Sequence, residues 1–139
     1  MDKLAEKLMS YFSAFIINKI KTTKTFRDFQ RLWRRDNYAV KVRDMFKAAV
    51  DDAKEFLYLP DQLIEDLLND PTNRDEIFRW IVEGVTLEDF KSDNLNLQPY
   101  YENYREYQDK ILPFFRIILN KVNEYRWCCK TRVKTRSYA

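Results

Sequence analysis

Twenty-two carboxylates, two cysteines and no histidine make up the reactive inventory of this 139-residue chain. Asp51 and Glu55 stand four apart, so on a helix they share one face, as two carboxylate ligands of a divalent cation would. A solvated helix face has the same spacing; Glu65 and Asp66 are a further, adjacent pair, and first-turn acids such as Asp75 and Glu76 are expected near a helix N-terminus. Lacking histidine, the chain has no imidazole for general acid–base catalysis, for most nucleophile–base dyads or for most zinc sites. Its one glycine, Gly84, is too few for a phosphate-cradling P-loop or a dinucleotide-binding turn. Cys128 and Cys129 are adjacent and have no second pair, so they lack the spacing of a redox or zinc motif. Acylation beside their basic flank remains open, with a plain reduced pair as the simpler alternative. These residues lead us to expect a protein that is not an enzyme, with no cofactor and no metal.

The other chemistry available is recognition. The stretches YYENYREY and RLWRR offer aromatic rings of the kind on which single-stranded nucleic acid stacks, but Glu102 and Glu106 would repel phosphate. A better basic surface is Arg31, Arg34, Arg35, Lys41 and Arg43, joined by Lys130, Arg132, Lys134 and Arg136 of the C-terminal stretch. Charge falls in blocks: residues 1–47 carry 12 Lys and Arg against 5 Asp and Glu, residues 48–109 carry 5 against 16, and residues 110–139 carry 8 against 1. Either the basic ends pack beside the acidic middle, or together they form one face for phosphates or an acidic partner.

The elements that must position these groups are helices. With 45% hydrophobic residues, 16% aromatics, one glycine and four prolines, the chain has the material for a core and little for tight hairpins. Leu4, Leu8, Phe12, Phe15, Ile16 and Ile20 define an amphipathic helix over residues 3–20. The serines, lysines and asparagine in and after LMSYFSAFII leave it short of a membrane span, and Asp2 and Glu6 spoil a signal peptide. The expectation is a cytoplasmic protein with no membrane contact. After a KTTKT loop, Thr25 and Asp28 form a capping-box pattern before Phe26, Phe29 and Trp33, and Asn37 with Tyr38 marks a turn.

Val42, Met45, Phe46, Ala49, Ala53 and Phe56 make the next apolar stripe. Pro60 suits the first turn of the helix DQLIEDLL, which ends at Asn69 and Asp70. Thr72 with Asp75 is a second capping-box pattern, before a helix burying Ile77, Trp80 and Ile81, and Gly84 sits where a C-terminal glycine cap belongs. Thr86 with Asp89 caps a further short turn, and a polar stretch, KSDNLNLQ, follows. From Tyr101 a heptad seam runs through Tyr104, Gln108, Ile111, Phe115, Ile118, Val122 and Tyr125, widened by Tyr107, Leu112, Phe114 and Leu119. Pro113 falls on its outer face, where it bends the helix at least cost. The fold class is all-α: one helical bundle of six to seven helices over residues 1–127, closed by a long, Pro-bent helix. Residues 128–139 form a basic, poorly ordered tail.

The stretch LLNDPTNRDEIFRWIVEG, followed by LNLQPYYENYREYQDKILPFFRIILNKV, resembles the helical region that precedes the NACHT module in bacterial STAND-type NTPases. The likeness covers about residues 56–125: a leucine-rich helix, an acidic–Pro break, a helix with apolar residues at Ile77, Trp80 and Ile81, and a long aromatic final helix. It implies a helical module without catalysis, linked to bacterial defence or signalling, although the nucleotide-binding module does not follow. The expected function is therefore a protein–protein interaction or adaptor module. The alternative is a small helical subunit that grips the backbone of single-stranded DNA or RNA. Oligomeric state stays open.

Overall fold

The apolar stripes become the buried faces of helices that share one core. The structure, a computed structural model, describes the backbone of residues 2–18, 27–31 and 38–138, with side chains for residues 3–16, 27–31 and 39–125. Among them lie α1 (Asp2–Asn18), α2 (Tyr38–Leu57), α3 (Asp61–Asn69), α4 (Pro71–Glu83), the short α5 (Gln98–Asn103) and the long α6 (Gln108–Tyr138). Single 3-10 turns occupy Ser92–Asn94 and Arg105–Tyr107. The described residues contain no strand.

In α1, Leu4, Leu8, Phe12 and Ile16 repeat every four residues, and all are buried. Phe12 stacks on Phe78 of α4 at a centroid distance of 4.8 Å and tilts against Phe29 at 5.8 Å. The helical segment 27–31 that carries Phe29 is pinned to α1 by Gln30, whose Nε2 donates to the Ile16 carbonyl at 2.7 Å. On the other side, the Arg74 guanidinium lies 3.9 Å from the centroid of the Tyr11 ring. Ile20, Thr25, Phe26, Trp33 and Asn37 lie outside the described residues.

Helix α2 packs along α6. Its residues Ala49 and Ala53 are fully buried, and small residues on a packed face let two helix axes approach closely. In α6, Ile111, Phe114, Phe115, Ile118, Leu119 and Val122 are buried, so the heptad seam holds from Ile111 onward. Pro113 lies inside α6 but is half-buried rather than on the outer face. The carbonyl it deprives of an N–H donor is that of Asp109, an exposed residue. In backbone, α6 continues to Tyr138, past the residue-127 boundary drawn from the sequence; its side chains beyond Tyr125 lie outside the described residues.

Four further sequence expectations need correction. Phe56 is not in the α2 stripe: it is 76% exposed, and Leu57 turns inward in its place. Pro60 is the N-cap of α3, extended at φ −71°, and does not lie inside the first turn. The N-cap of α4 is Asp70, not Thr72. Its carboxylate accepts from the Thr72 N–H at 2.9 Å and the Asn73 N–H at 3.4 Å, with Pro71 in the first turn where a missing N–H costs nothing. Finally, the last helix does not run unbroken from Tyr101, because the chain breaks at Tyr104 (φ −128°, ψ 57°). Gln108 is the seam's exposed polar residue, and its Nε2 donates to the Tyr101 carbonyl at 2.9 Å, one of the acceptors near this break.

Two helix ends use the left-handed region. Gly84 caps α4 at φ 82°, its N–H bonding the Trp80 carbonyl at 3.0 Å, as the sequence led us to expect. The other end, that of α2, carries Tyr58 at φ 54°. There the Leu59 N–H reaches back to the Lys54 carbonyl at 3.3 Å, the six-to-one bond of a Schellman cap with Tyr58 at the position glycine normally fills. Leu59 is then buried and the chain turns into α3.

Candidate interaction surface

The acidic middle of the chain divides into carboxylates locked in a polar network and carboxylates left at the surface. The network joins α3 and α4 to the segment 92–104. Asp70, Asn73 and Glu76 lie three apart on α4 and its cap. Asn73 is fully buried, and its amide pairs with both backbone groups of Asn96: Nδ2 donates to the carbonyl at 3.0 Å and Oδ1 accepts the N–H at 2.7 Å. The same Nδ2 donates to the Leu67 carbonyl at 3.2 Å. Asp70 Oδ2 accepts from Asn96 Nδ2 at 2.9 Å and from the Tyr100 hydroxyl at 2.6 Å, and the Tyr104 hydroxyl donates to Asp66. Burial and the neighbouring Asp70 carboxylate push the Tyr100 phenol well above its ordinary range. The bond to Asp66 pushes Tyr104 up to about 12.

Glu76 accepts two bonds from Arg79, at 2.8 and 2.7 Å, together with Trp80 Nε1 at 3.1 Å and Asn94 Nδ2 at 3.3 Å. Burial alone would raise its carboxyl, but the bonds and charge of Arg79, with help from Trp80 and Asn94, more than offset this and hold it below the usual glutamate range. A depressed folded value makes the contribution of Glu76 to stability complete above the ordinary glutamate value of about 4.3 and lost as pH falls through the folded value. Urea midpoints measured from neutral pH down to pH 3 should therefore decline for the wild type. Glu76→Gln should be less stable at neutral pH and should show a shallower decline. The acceptors of Glu76 and Asp70 are taken up by these bonds, so this corner is a clamp rather than a reactive site.

The surface at the other end of α2 is built differently. Phe56, 76% exposed, and Tyr58, 82% exposed, stand at the helix terminus. With Asp52, Glu55 and Ile117 of α6 they line an open groove between the two helices. Lys121, one turn beyond Ile117 on α6, reaches Asp52 at 3.4 Å, and Lys54, next to Glu55 in sequence, pairs with Asp61. Glu55 makes no ion pair among the described residues. Among the described residues, no group of three or more His, Cys, Asp or Glu side chains, Asp51 and Glu55 included, is placed to hold an ion.

Of the basic residues singled out from the sequence, Arg31 is exposed on the 27–31 segment, and Lys41 and Arg43 are exposed near the start of α2, where Arg43 pairs with its neighbour Asp44 at 3.4 Å. Arg34 and Arg35, the side chains of Lys130, Arg132, Lys134 and Arg136, and those of Cys128 and Cys129 lie outside the described residues. Sequence reasoning missed the aromatic groove. The available signal was FLYL, four consecutive apolar residues before Pro60, a run too dense for one face of a helix to bury.

Fold and surface together define the class: an all-α domain with a saturated polar clamp at one corner and an aromatic–acidic groove at another. No protein-family model, curated protein or solved structure matches the chain. No helix among the described residues is long and apolar enough to cross a membrane.

Proposed function

We propose that this protein is a non-catalytic, cytoplasmic interaction module that binds a protein partner through the groove between the C-terminal end of α2 and the middle of α6. One observation carries this proposal. Tyr58 occupies a left-handed cap position that costs a non-glycine residue about 1–2 kcal/mol, yet its ring is 82% exposed and returns little packing inside the molecule. A large side chain kept under strain and in solvent, beside a second exposed aromatic, is typical of a binding surface, where aromatic anchors carry much of the affinity. The resemblance of residues 56–125 to the helical region before NACHT modules points the same way, toward a module that acts by contact.

Site-specific photo-crosslinking in the native host tests the proposal. A photoreactive phenylalanine analogue replaces Phe56 in one variant and Leu87 in another; Leu87 is also exposed, at 49%, but lies outside the groove. Position 56 should give a discrete protein adduct that position 87 does not. Equal adduct patterns at the two positions, or none at position 56, would remove the groove as the contact surface.

A further inference from the structure

Resting on that proposal, we infer that the partner docks a short basic segment: an apolar side chain set on Ile117 between Phe56 and Tyr58, with a Lys or Arg a few residues away. The charges around the groove argue for this. Both charged residues that line it, Asp52 and Glu55, are acidic. The two lysines nearest in sequence to its α2 and α6 lining are each engaged, Lys54 with Asp61 and Lys121 with Asp52. Both pairs are solvent-exposed, and pairs of that kind hold weakly, so Asp52 is open to exchange with an incoming cation. Glu55 has no competing ion pair among the described residues.

The aromatic rings favour the same ligand. A guanidinium or ammonium over an exposed tyrosine or phenylalanine face is attracted by the ring quadrupole, and here carboxylates lie beside the rings to complete its neutralisation. Phosphate-bearing partners, whether nucleic acid or an anionic membrane, meet like charge at this groove. A second copy docking groove to groove across a two-fold axis would set Asp52 and Glu55 against their own equivalents, a like-charge arrangement that disfavours it. A lining of five residues is also far smaller than a standard protein–protein interface, which fits a linear segment bound at about micromolar affinity.

A displayed library of short random peptides, selected on the full chain and counter-selected on Phe56→Ser, tests the inference. Enriched peptides should place Lys or Arg within a few residues of an aromatic or aliphatic side chain. Their affinity should fall about tenfold or more with Phe56→Ser. It should weaken with Glu55→Gln and with rising salt. Because Phe56 is largely exposed, Phe56→Ser should keep the wild-type melting temperature, so lost binding would not reflect lost folding. Phe56-dependent peptides without a preference for cations would overturn this inference while leaving the interaction module in place. An absence of Phe56-dependent peptides would overturn it as well, and the in-cell adduct at position 56 then decides separately whether the groove binds a protein at all. Concentration-dependent self-association abolished by Phe56→Ser would name a second copy as the occupant and overturn the partner assignment.

Discussion

Asn73→Ala should unfold roughly 10 °C below the wild type, the largest stability change expected from a single polar residue in this protein. Truncation leaves three backbone groups without their partner: the N–H and carbonyl of Asn96 and the carbonyl of Leu67. Each buried group left unsatisfied costs about 1–3 kcal/mol, and partial access of water on the Asn96 side brings the total to about 3 kcal/mol. For a domain of this size that corresponds to a shift of about ten degrees. The effect should reach beyond α4. Asn96 also bonds Asp70, and Asp70 caps α4 and holds Tyr100, so amide exchange across residues 92–104 should accelerate more than exchange in α1. Asn73→Asp provides the control. Its carboxylate keeps an acceptor for the Asn96 N–H, loses both donated bonds and buries a charge, so it should be destabilised at neutral pH and should recover in part as acid protonates it. Thermal melts of the three proteins at two pH values would settle the matter. A melting temperature for Asn73→Ala within two degrees of wild type would mean that the clamp contributes little.

The second large effect separates stability from binding. Tyr58→Gly places the residue that left-handed geometry favours at φ 54°. Relief of the non-glycine penalty, about 1–2 kcal/mol, exceeds the extra entropy glycine loses on folding, about 0.5–1 kcal/mol. The variant should therefore gain about 0.5–1 kcal/mol and melt a few degrees higher. It should nevertheless lose partner binding by more than tenfold, since one of the two aromatic walls is gone. Most substitutions that remove a large apolar side chain cost stability. One that adds stability while removing function would mark Tyr58 as kept for contact rather than for folding.

How far the fold was legible in the sequence depended on whether a feature is local. The four-residue rhythm of Leu4, Leu8, Phe12 and Ile16 and the run Ile111, Phe115, Ile118 and Val122 specify buried faces without reference to the rest of the chain, and they hold in the structure. Gly84 is equally local, and it caps α4 as its position suggested. Where two local patterns compete, the chain follows the stronger one. Pro71 marks Asp70 as the cap more firmly than the Thr72–Asp75 pair marks Thr72, because proline at the first helical position needs no N–H partner. At the end of α2, a step of three from Ala53 selects Phe56 and a step of four selects Leu57. The step of four is the one that continues from Ala49 and Ala53.

The break at Tyr104 had no local signal, since it accompanies bonds from Tyr100 and Tyr104 to Asp70 and Asp66, 30 and 38 residues away. Asn73 and Asn96 are likewise 23 residues apart, and no spacing rule joins them. The groove depends on α2 and α6 lying side by side, which brings Ile117 to Phe56. The sequence contained its residues but could not place them together.

As an interaction module, the protein would hold Tyr58 in a strained conformation for the sake of a partner. The most direct test is the photo-crosslink yield at position 56 in otherwise wild-type protein and in a Tyr58→Gly background, with melting curves of Tyr58→Gly and wild type recorded alongside. Strain held for contact requires a higher melting temperature for Tyr58→Gly and loss of the adduct. A Tyr58→Gly protein that is more stable and still forms the same adduct in the same yield would contradict it.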